Sequence, residues 1–499
     1  MAQKRKFPKI CVALGFPDIE ALLENARAEA EAGETFLEFR LDYLPEPERG
    51  AAAIRKFLDG FPHCLILATC RRHSNHGNFH GGIDEQLRIL DLAVRNGACA
   101  VDIEIETAEL VAEKLSAFRV HSQLIVSYHN FDNTPQLETI LRHVRRIPAD
   151  AYKVVTTARK PSDNGRVLEA GRASPRVPLI VLAMGEMGFP SRVLGPGFGG
   201  IFTYAAPISA HGTAPGQVCA KRLRHLYRIE AFSKNAKIYG VAADPVRHSI
   251  SPAVHNRAFQ SRRLDAVYLP FLVPPAQLRD FFTLCEKLPV RGFSVTIPHK
   301  EKVMKYLDTI DPLARRIGAV NTVWRKAGKW RGTNTDVAGV LQPLAKQLRL
   351  ANSSVLIAGS GGAARGAACA LADAGAKVSL VGRNLDRLRS LARACGGKVF
   401  SREQANKEKF DALVHATPLG MFPNVDQCFF EGSIPADIVF DMVYNPQETL
   451  LLRRAREQGK AVIPGLRMFI EQAVAQFEIW TGESAPRSAM QKAAEQALA

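Results

Sequence analysis

Along the first 206 positions, short runs of apolar and β-branched residues return at regular intervals: KICVAL (9–14), TFLEFRL (35–41), CLILATC (64–70), CAVDIEI (99–105), QLIVSYH (123–129), AYKVVTT (151–157), PLIVLAM (178–184) and IFTYAA (201–206). Between them the apolar positions switch to helical spacing, as in DIEALLENARAEAEAG (18–33), DEQLRILDLAVRNG (84–97) and QLETILRHVRRI (136–147). Eight strand-helix units in about 230 residues predict a (β/α)8 TIM barrel, an α/β fold that typically takes about 250. An open doubly wound sheet would carry a glycine-rich phosphate turn after its first strand, and ALGFPD (13–18) is not one.

In such a barrel the working side chains come from the carboxyl ends of the strands and the loops that follow. The polar residues in or just after the runs are Glu38, Arg40, Asp42, Arg71, Arg72, Asp102, Glu104, His129 and Lys153, so they are expected to converge on one mouth. Lys153 lies inside an apolar strand, where an unpaired ammonium is costly and tends to shed its proton. An amine beside a histidine is the equipment for a Schiff base with a ketone, the imidazole moving protons. The loop RRHSNHGNFHGG (71–82) holds His73, His76 and His80 without a neighbouring carboxylate or thiolate. It predicts a polar lid and no metal site.

These residues resemble the type I 3-dehydroquinate dehydratases, through LEFRLDYL (37–44), VDIEIE (101–106), VSYHNF (126–131), AYKVVTTA (151–158), MGEMGFPSRVLGPGFGGIFTYAA (184–206) and GTAPGQ (212–217). The resemblance implies that Lys153 forms an imine with the ketone of 3-dehydroquinate, that His129 is the general acid and base, and that the product is 3-dehydroshikimate. It also implies that Glu38, Arg40, Arg71, Arg192, Thr213 and Gln217 hold hydroxyls and the carboxylate, the planar arginine fork suiting the latter. Two positions depart from the pattern: Thr213 stands where a serine is usual, and Asn75 where a glutamate pairs with the histidine. Asn75 keeps hydrogen bonding but not the negative charge that would hold an imidazolium, so His129 is expected to titrate lower or to be oriented differently.

The rhythm breaks near AFSKNAK (231–237), and NSSVLIAGSGGAARGAACALADAGAKVSLVGRN (352–384) then reads as strand, glycine-rich turn, small-residue helix and strand. That order predicts a Rossmann lobe in which Gly359, Gly361, Gly362 and Ala363 let the backbone approach a pyrophosphate at the helix N-terminus. Arg383, Asn384 and Arg387 after the second strand favour a 2′-phosphate and hence NADP, while Asp386 keeps NAD in play. Between the barrel and this lobe lie RHSISPAVHN (247–256), GFSVTIPHKEKV (292–303), GAVNTVW (318–324) and GTNTDVAG (332–339). Ser249 and Ser251 alternate as on an extended segment and would face a carboxylate together. Lys300 and Asp336, if they meet, could relay a proton at the carbon that exchanges hydride.

In this order the clusters resemble shikimate dehydrogenase, from about residue 237 onward. The resemblance implies that Ser249, Ser251, Thr296, Asn321, Asp336 and Gln472 bind shikimate and that Lys300 with Asp336 does the acid-base work. It sets Tyr444, in DMVYNP (441–446), and Gly465, in PGLRMFIEQ (464–472), near substrate and nicotinamide. Ser294 stands where many bacterial members have asparagine, and quinate-using dehydrogenases share much of the pattern.

The domains expected are a barrel over 1–231, a substrate lobe over 237–335 and an NADP lobe over 336–499 whose last helices return to the substrate lobe. The order resembles the fused bifunctional enzyme of plants and some bacteria, which implies consecutive steps of chorismate and aromatic amino-acid biosynthesis. Two alternatives stand beside it: a metabolite sensor on inactive copies of these domains, as in the fungal quinate-pathway repressor, and a quinate/shikimate dehydrogenase on a weakened dehydratase half. A sensor has no need of an imine lysine, and Lys153, His129, Lys300 and Asp336 are all present. The formal charge of +17 is dispersed among acidic residues, which argues against nucleic acid and for steering small anions. No apolar run is long enough for a bilayer, MAQKRKFPKI is followed by no signal-like region, and nine scattered cysteines without a C-x-x-C pair predict reduced thiols in a cytoplasm. A monomer or homodimer is expected.

Overall fold

Each of the eight apolar runs of the first half forms a strand: β1 (Ile10–Leu14), β2 (Phe36–Arg40), β3 (Leu65–Thr69), β4 (Ala100–Glu104), β5 (Gln123–His129), β6 (Ala151–Thr157), β7 (Leu179–Met184) and β8 (Thr203–Ala205). The computed structural model describes residues 6–174, 176–209 and 212–498. The chain divides into two units, with the main boundary between Ala236 and Lys237. In the first unit the strands pair in parallel in the order β7-β6-β5-β4-β3-β2-β1-β8. The seam that closes the barrel is held ahead of β8, where Ile201 N donates to Leu179 O at 2.8 Å. The predicted helices are present at Ile19–Glu31, Ile83–Arg95 and Leu137–Val144. The first starts where Asp18 accepts a hydrogen bond from Ala21 N at 2.7 Å, an N-cap that satisfies one of the four orphan amides.

A strand sends alternate side chains to opposite faces, and inside the barrel that parity stacks layers. The floor is apolar, with Phe7, Phe36, Leu67, Ala100, Ile125, Ala151, Ile180 and Phe202. Two residues further along the strands come Glu38, Thr69, Asp102, Ser127 and Lys153, and another two bring Arg40, Arg71, Glu104 and His129. The barrel is therefore a packed core at one end and a polar site at the other.

The second unit holds two six-stranded sheets. One has the order β10-β9-β11-β13-β14-β12, made of β9 (Lys237–Ala243), β10 (Ala266–Leu272), β11 (Val290–Val295), β12 (Thr309–Ile310), β13 (Thr322–Lys326) and β14 (Lys329–Thr333). The other comprises β15 (Ser354–Ala358), β16 (Lys377–Val381), β17 (Lys398–Val399), β18 (Phe410–His415), β19 (Ala436–Asp441) and β20 (Ala461–Ile463). Its all-parallel order, β17-β16-β15-β18-β19-β20, reverses between β15 and β18, the crevice where dinucleotides bind in Rossmann folds. The helix Gly465–Thr481 then packs on the helix Asp336–Ala345, and Arg487–Leu498 on Ser251–Ser261.

One local expectation fails. Ser249 and Ser251 do not lie on an extended strand, because Ser251 opens the helix Ser251–Ser261 with Pro252 in its first turn and Ile250 in helical conformation. Proline favours that position, and Ser249 Oγ accepts from Ser251 N at 3.3 Å across the turn.

Candidate functional sites

In the barrel, Glu38, Arg40, Arg71, His129, Lys153, Arg192, Thr213 and Gln217 line one cavity of about 80 Å³, with Tyr43, His76, Phe131, Met184 and Tyr204 among the other residues of its wall. Asp42, Asp102, Glu104 and Arg72 stand behind them. Asp42 grips Arg40 through two hydrogen bonds of 2.9 and 2.8 Å, and Glu104 lies 3.8 Å from Arg71 while accepting from Arg72 N and Gln86 Nε2. The expected lone amine has a partner: Lys153 Nζ, only 4% of its residue exposed, donates to Asp102 Oδ2 at 2.8 Å and lies 3.9 Å from Glu38. Its Nζ also sits 4.3 Å over the Tyr204 ring, a cation–π contact.

Each partner is itself held. Ser127 Oγ donates to Asp102 Oδ1 at 2.6 Å, and Thr69 Oγ1 to Glu38 Oε1 at 2.7 Å. Burial alone would raise the Asp102 carboxyl, but the charges of Lys153 and Arg71 outweigh it and hold it below the ordinary carboxylate range. Burial lifts Glu104 above that range, with Arg71 pulling against it.

His129 lies 3.0 Å from Arg71 through Nε2. A guanidinium can only donate, so Nε2 is the acceptor and the ring proton is on Nδ1. Burial, reinforced by Arg71, Lys153, Arg40 and His76, pushes the imidazole well below its ordinary 6.5. Arg192 is buried and donates to Tyr204 O at 3.0 Å, while its Nε has no partner. Among the described residues no carboxylate pairs with it, and burial lowers its guanidinium to about 10. That uncompensated buried cation suits an incoming carboxylate. Gln217 Oε1 accepts from Ala214 N, and its Nε2 lies 3.4 Å from Thr213 Oγ1, so the two are set by one turn.

In the second unit, Ser249, Ser251, Thr296, Lys300, Asn321, Asp336, Tyr444, Gly465, Gln472 and Ala363 line a single cleft of about 190 Å³. Lys300 Nζ meets Asp336 Oδ2 at 2.5 Å, and Asn321 Nδ2 donates to Asp336 Oδ1 at 2.8 Å. Ser294 and Gln476 also face this cleft, and nothing in their sequence surroundings had singled out Gln476. Asp102 was expected at the barrel mouth but without a role, and Tyr204 was missed, although the two-residue parity of β8 puts it inside the barrel.

The dinucleotide turn fits a bound cofactor. Gly359 has φ +130°, and a Cβ there would meet Ala416 O at 2.8 Å, so only glycine suits it. Gly361 and Gly362 open on empty space at the start of the helix Gly362–Asp373, whose first amides have no side-chain cap. Asn384 is partly committed, since its Oδ1 caps the next helix at Arg387 N, 3.0 Å away. Arg383 and Arg387 are exposed, and Asp386 lies 3.6 Å from Arg389.

Comparison with known proteins finds matches in both halves of the chain. The family model described as type I 3-dehydroquinase matches residues 10–233, that of the shikimate dehydrogenase substrate binding domain 241–323, and that of the shikimate 5′-dehydrogenase C-terminal domain 465–495. The chain is 36% identical over 96% of its length, and 83% of the relative's, to the chloroplastic bifunctional 3-dehydroquinate dehydratase/shikimate dehydrogenase of Arabidopsis thaliana. It is 41% identical over 49% of its length, and 93% of the relative's, to the NADP(+) shikimate dehydrogenase of Bacillus anthracis. The solved shikimate 5-dehydrogenase of Thermus thermophilus in complex with NADP(H) and shikimate is 34% identical, with a TM-score of 0.50, covering 52% of this chain and 99% of that one.

Proposed function

Because this chain belongs to the family of bifunctional 3-dehydroquinate dehydratase/shikimate dehydrogenases, we propose that Lys153 and His129 carry the dehydration in the barrel and Lys300 with Asp336 the proton transfer of the NADPH-linked reduction. The observation that carries the reading is that one chain holds both pairs, each inside its own cleft.

In the barrel, attack on the ketone carbon of 3-dehydroquinate requires Lys153 to give up a proton, and the acceptors around it are Asp102 at 2.8 Å and Glu38 at 3.9 Å. The amine adds to the carbon, water leaves and an imine forms. His129, held neutral, takes a proton from the adjacent carbon, and the electron pair moves toward the imine nitrogen. The pair returns as the hydroxyl one carbon further on departs with a proton, and hydrolysis of the imine releases 3-dehydroshikimate and the free amine. Arg192 meets the substrate carboxylate, while Arg71, Arg40, Glu38, Thr213 and Gln217 hold the ring. A substrate that draws Arg71 onto itself frees the His129 Nε2 lone pair.

In the second cleft NADPH, when bound, would supply the hydride. Gly359, Gly361, Gly362 and Ala363 would hold its pyrophosphate, with Arg383, Asn384 and Arg387 toward the 2′-phosphate and Gly465 toward the nicotinamide. Lys300, set by Asp336, gives the proton to the carbonyl oxygen that becomes a hydroxyl. Ser249 and Ser251 take the carboxylate, and Thr296, Asn321, Tyr444 and Gln472 surround the ring. The nine cysteines, all among the described residues, form no disulfide, which supports a reducing compartment such as the cytoplasm. No described helix is long and apolar enough to cross a membrane.

The test is sequential. Addition of 3-dehydroquinate without NADPH is expected to raise enone absorbance, and later NADPH to be consumed as that absorbance falls. A flat first trace defeats the dehydratase assignment, and a rise without NADPH consumption defeats the reductase.

A further inference from the structure

One wall of the dehydrogenase cleft has its hydrogen-bond polarity set by atoms that can act in only one sense. Thr335 N, a donor only, points at Asn321 Oδ1 at 2.8 Å, which turns the Asn321 amide nitrogen toward Asp336. Gln476 Nε2 lies 3.0 Å from Thr322 Oγ1 and 3.3 Å from the main-chain carbonyl of Asn321, an acceptor only. The Gln476 amide therefore has one orientation, with Oε1 facing Ser294 Oγ at 2.8 Å. An amide oxygen cannot donate, so Ser294 gives it the single hydroxyl proton it has. The Tyr268 hydroxyl donates to Ser294 Oγ at 2.6 Å, and burial pushes that phenol up, so it keeps its proton. Tyr268 is itself clamped, exchanging two main-chain hydrogen bonds of 2.8 Å with the Asn256 side chain. Ser294 thus has its proton and one lone pair engaged, while the residue lines the cleft.

From this wiring we propose that Ser294 is an acceptor-only recognition point in the dehydrogenase cleft, set by Gln476 and Tyr268, which selects ring substrates bearing a hydroxyl able to donate to it. The proposal rests on the dehydrogenase reading and adds a specificity residue and two positioning residues to it. A serine free to rotate would accept or donate and so would tolerate a keto group, an ether or a fluorine at that place. A serine whose proton is already given rejects all three, because two lone pairs then face each other without a proton between them.

The test is a cycle between enzyme and substrate, run on the full chain with NADP+ as oxidant. Shikimate and a panel of shikimates with one ring hydroxyl at a time replaced by fluorine are oxidised by the parent, Ser294→Ala and Tyr268→Phe. Ser294→Ala is expected to raise KM for shikimate about 3- to 10-fold with kcat within about twofold, the size of one hydrogen bond. That penalty should vanish for a single fluoro analogue, the one lacking the donor that Ser294 reads. Tyr268→Phe, which also gives up the hydroxyl's hydrogen bond with Ser251, should carry a smaller penalty, of which the part acting through Ser294 vanishes for that same analogue. A penalty spread equally over every analogue, or none at all, overturns the proposal. The parent enzyme alone also decides, because a panel in which every fluoro analogue that turns over binds as tightly as shikimate leaves no acceptor-only point. Failure of the parent to oxidise shikimate itself would instead strike at the dehydrogenase reading.

Discussion

Lys153 and Arg192 are both buried cations in the barrel, and their surroundings differ. Lys153 is neutralised by Asp102, so Asp102→Asn is expected to destabilise the barrel by about 3–5 kcal/mol, the cost of stranding a buried charge, measured by denaturant unfolding. Arg192 has no carboxylate to lose. Arg192→Met is expected to leave the melting temperature unchanged or raise it while raising KM for 3-dehydroquinate, and a large loss of stability would contradict its assignment to the substrate carboxylate. As the proposed general base, His129 would act as the neutral imidazole, and burial with its cationic neighbours lowers the pH at which it charges. The acid limb of kcat/KM for dehydration is therefore expected below 6.5, with activity lost only as pH falls through that lowered value. Lys153 was legible in the sequence because a lysine stands out in AYKVVTT. Its partner was not, because Asp102 lies 51 positions away and nothing local marks which carboxylate of VDIEIE faces the amine.

At the scale of elements, parity along the strands decides which side chains meet. β4 and β6 both flank β5, with Asp102 opposite Ile125 and Lys153 opposite Ser127. The Lys153 ammonium and the Ser127 hydroxyl can therefore both reach Asp102. Strand positions were legible because parallel strands buried on both faces read as continuous apolar runs. The turn at Ser249–Ser251 was not, since alternation over three residues does not distinguish an extended segment from a helix start, and Pro252 decides it. The glycine turn after β15 was legible as a motif, but the close approach of Ala416 O to Gly359 comes from another strand's end. Gly359→Ala is expected to lower stability by about 1–3 kcal/mol and to raise KM for NADPH, read by thermal unfolding and initial rates, because the added Cβ meets that carbonyl at a strained φ.

Across the whole molecule two chemistries share one chain without sharing a residue. The product of the barrel reaction is the substrate of the reductase, and NADP serves only the second. A Lys153→Ala chain should therefore oxidise shikimate with NADP+ at the parent rate, and a Lys300→Ala chain should still dehydrate 3-dehydroquinate. The most direct measurement is borohydride treatment during turnover of 3-dehydroquinate, followed by peptide mass mapping and assay of both activities. The expected result is one reduced carbocyclic adduct per chain, on the peptide containing Lys153, with dehydratase activity lost and shikimate oxidation retained. Continued turnover with no adduct, or an adduct on another lysine, would contradict the account.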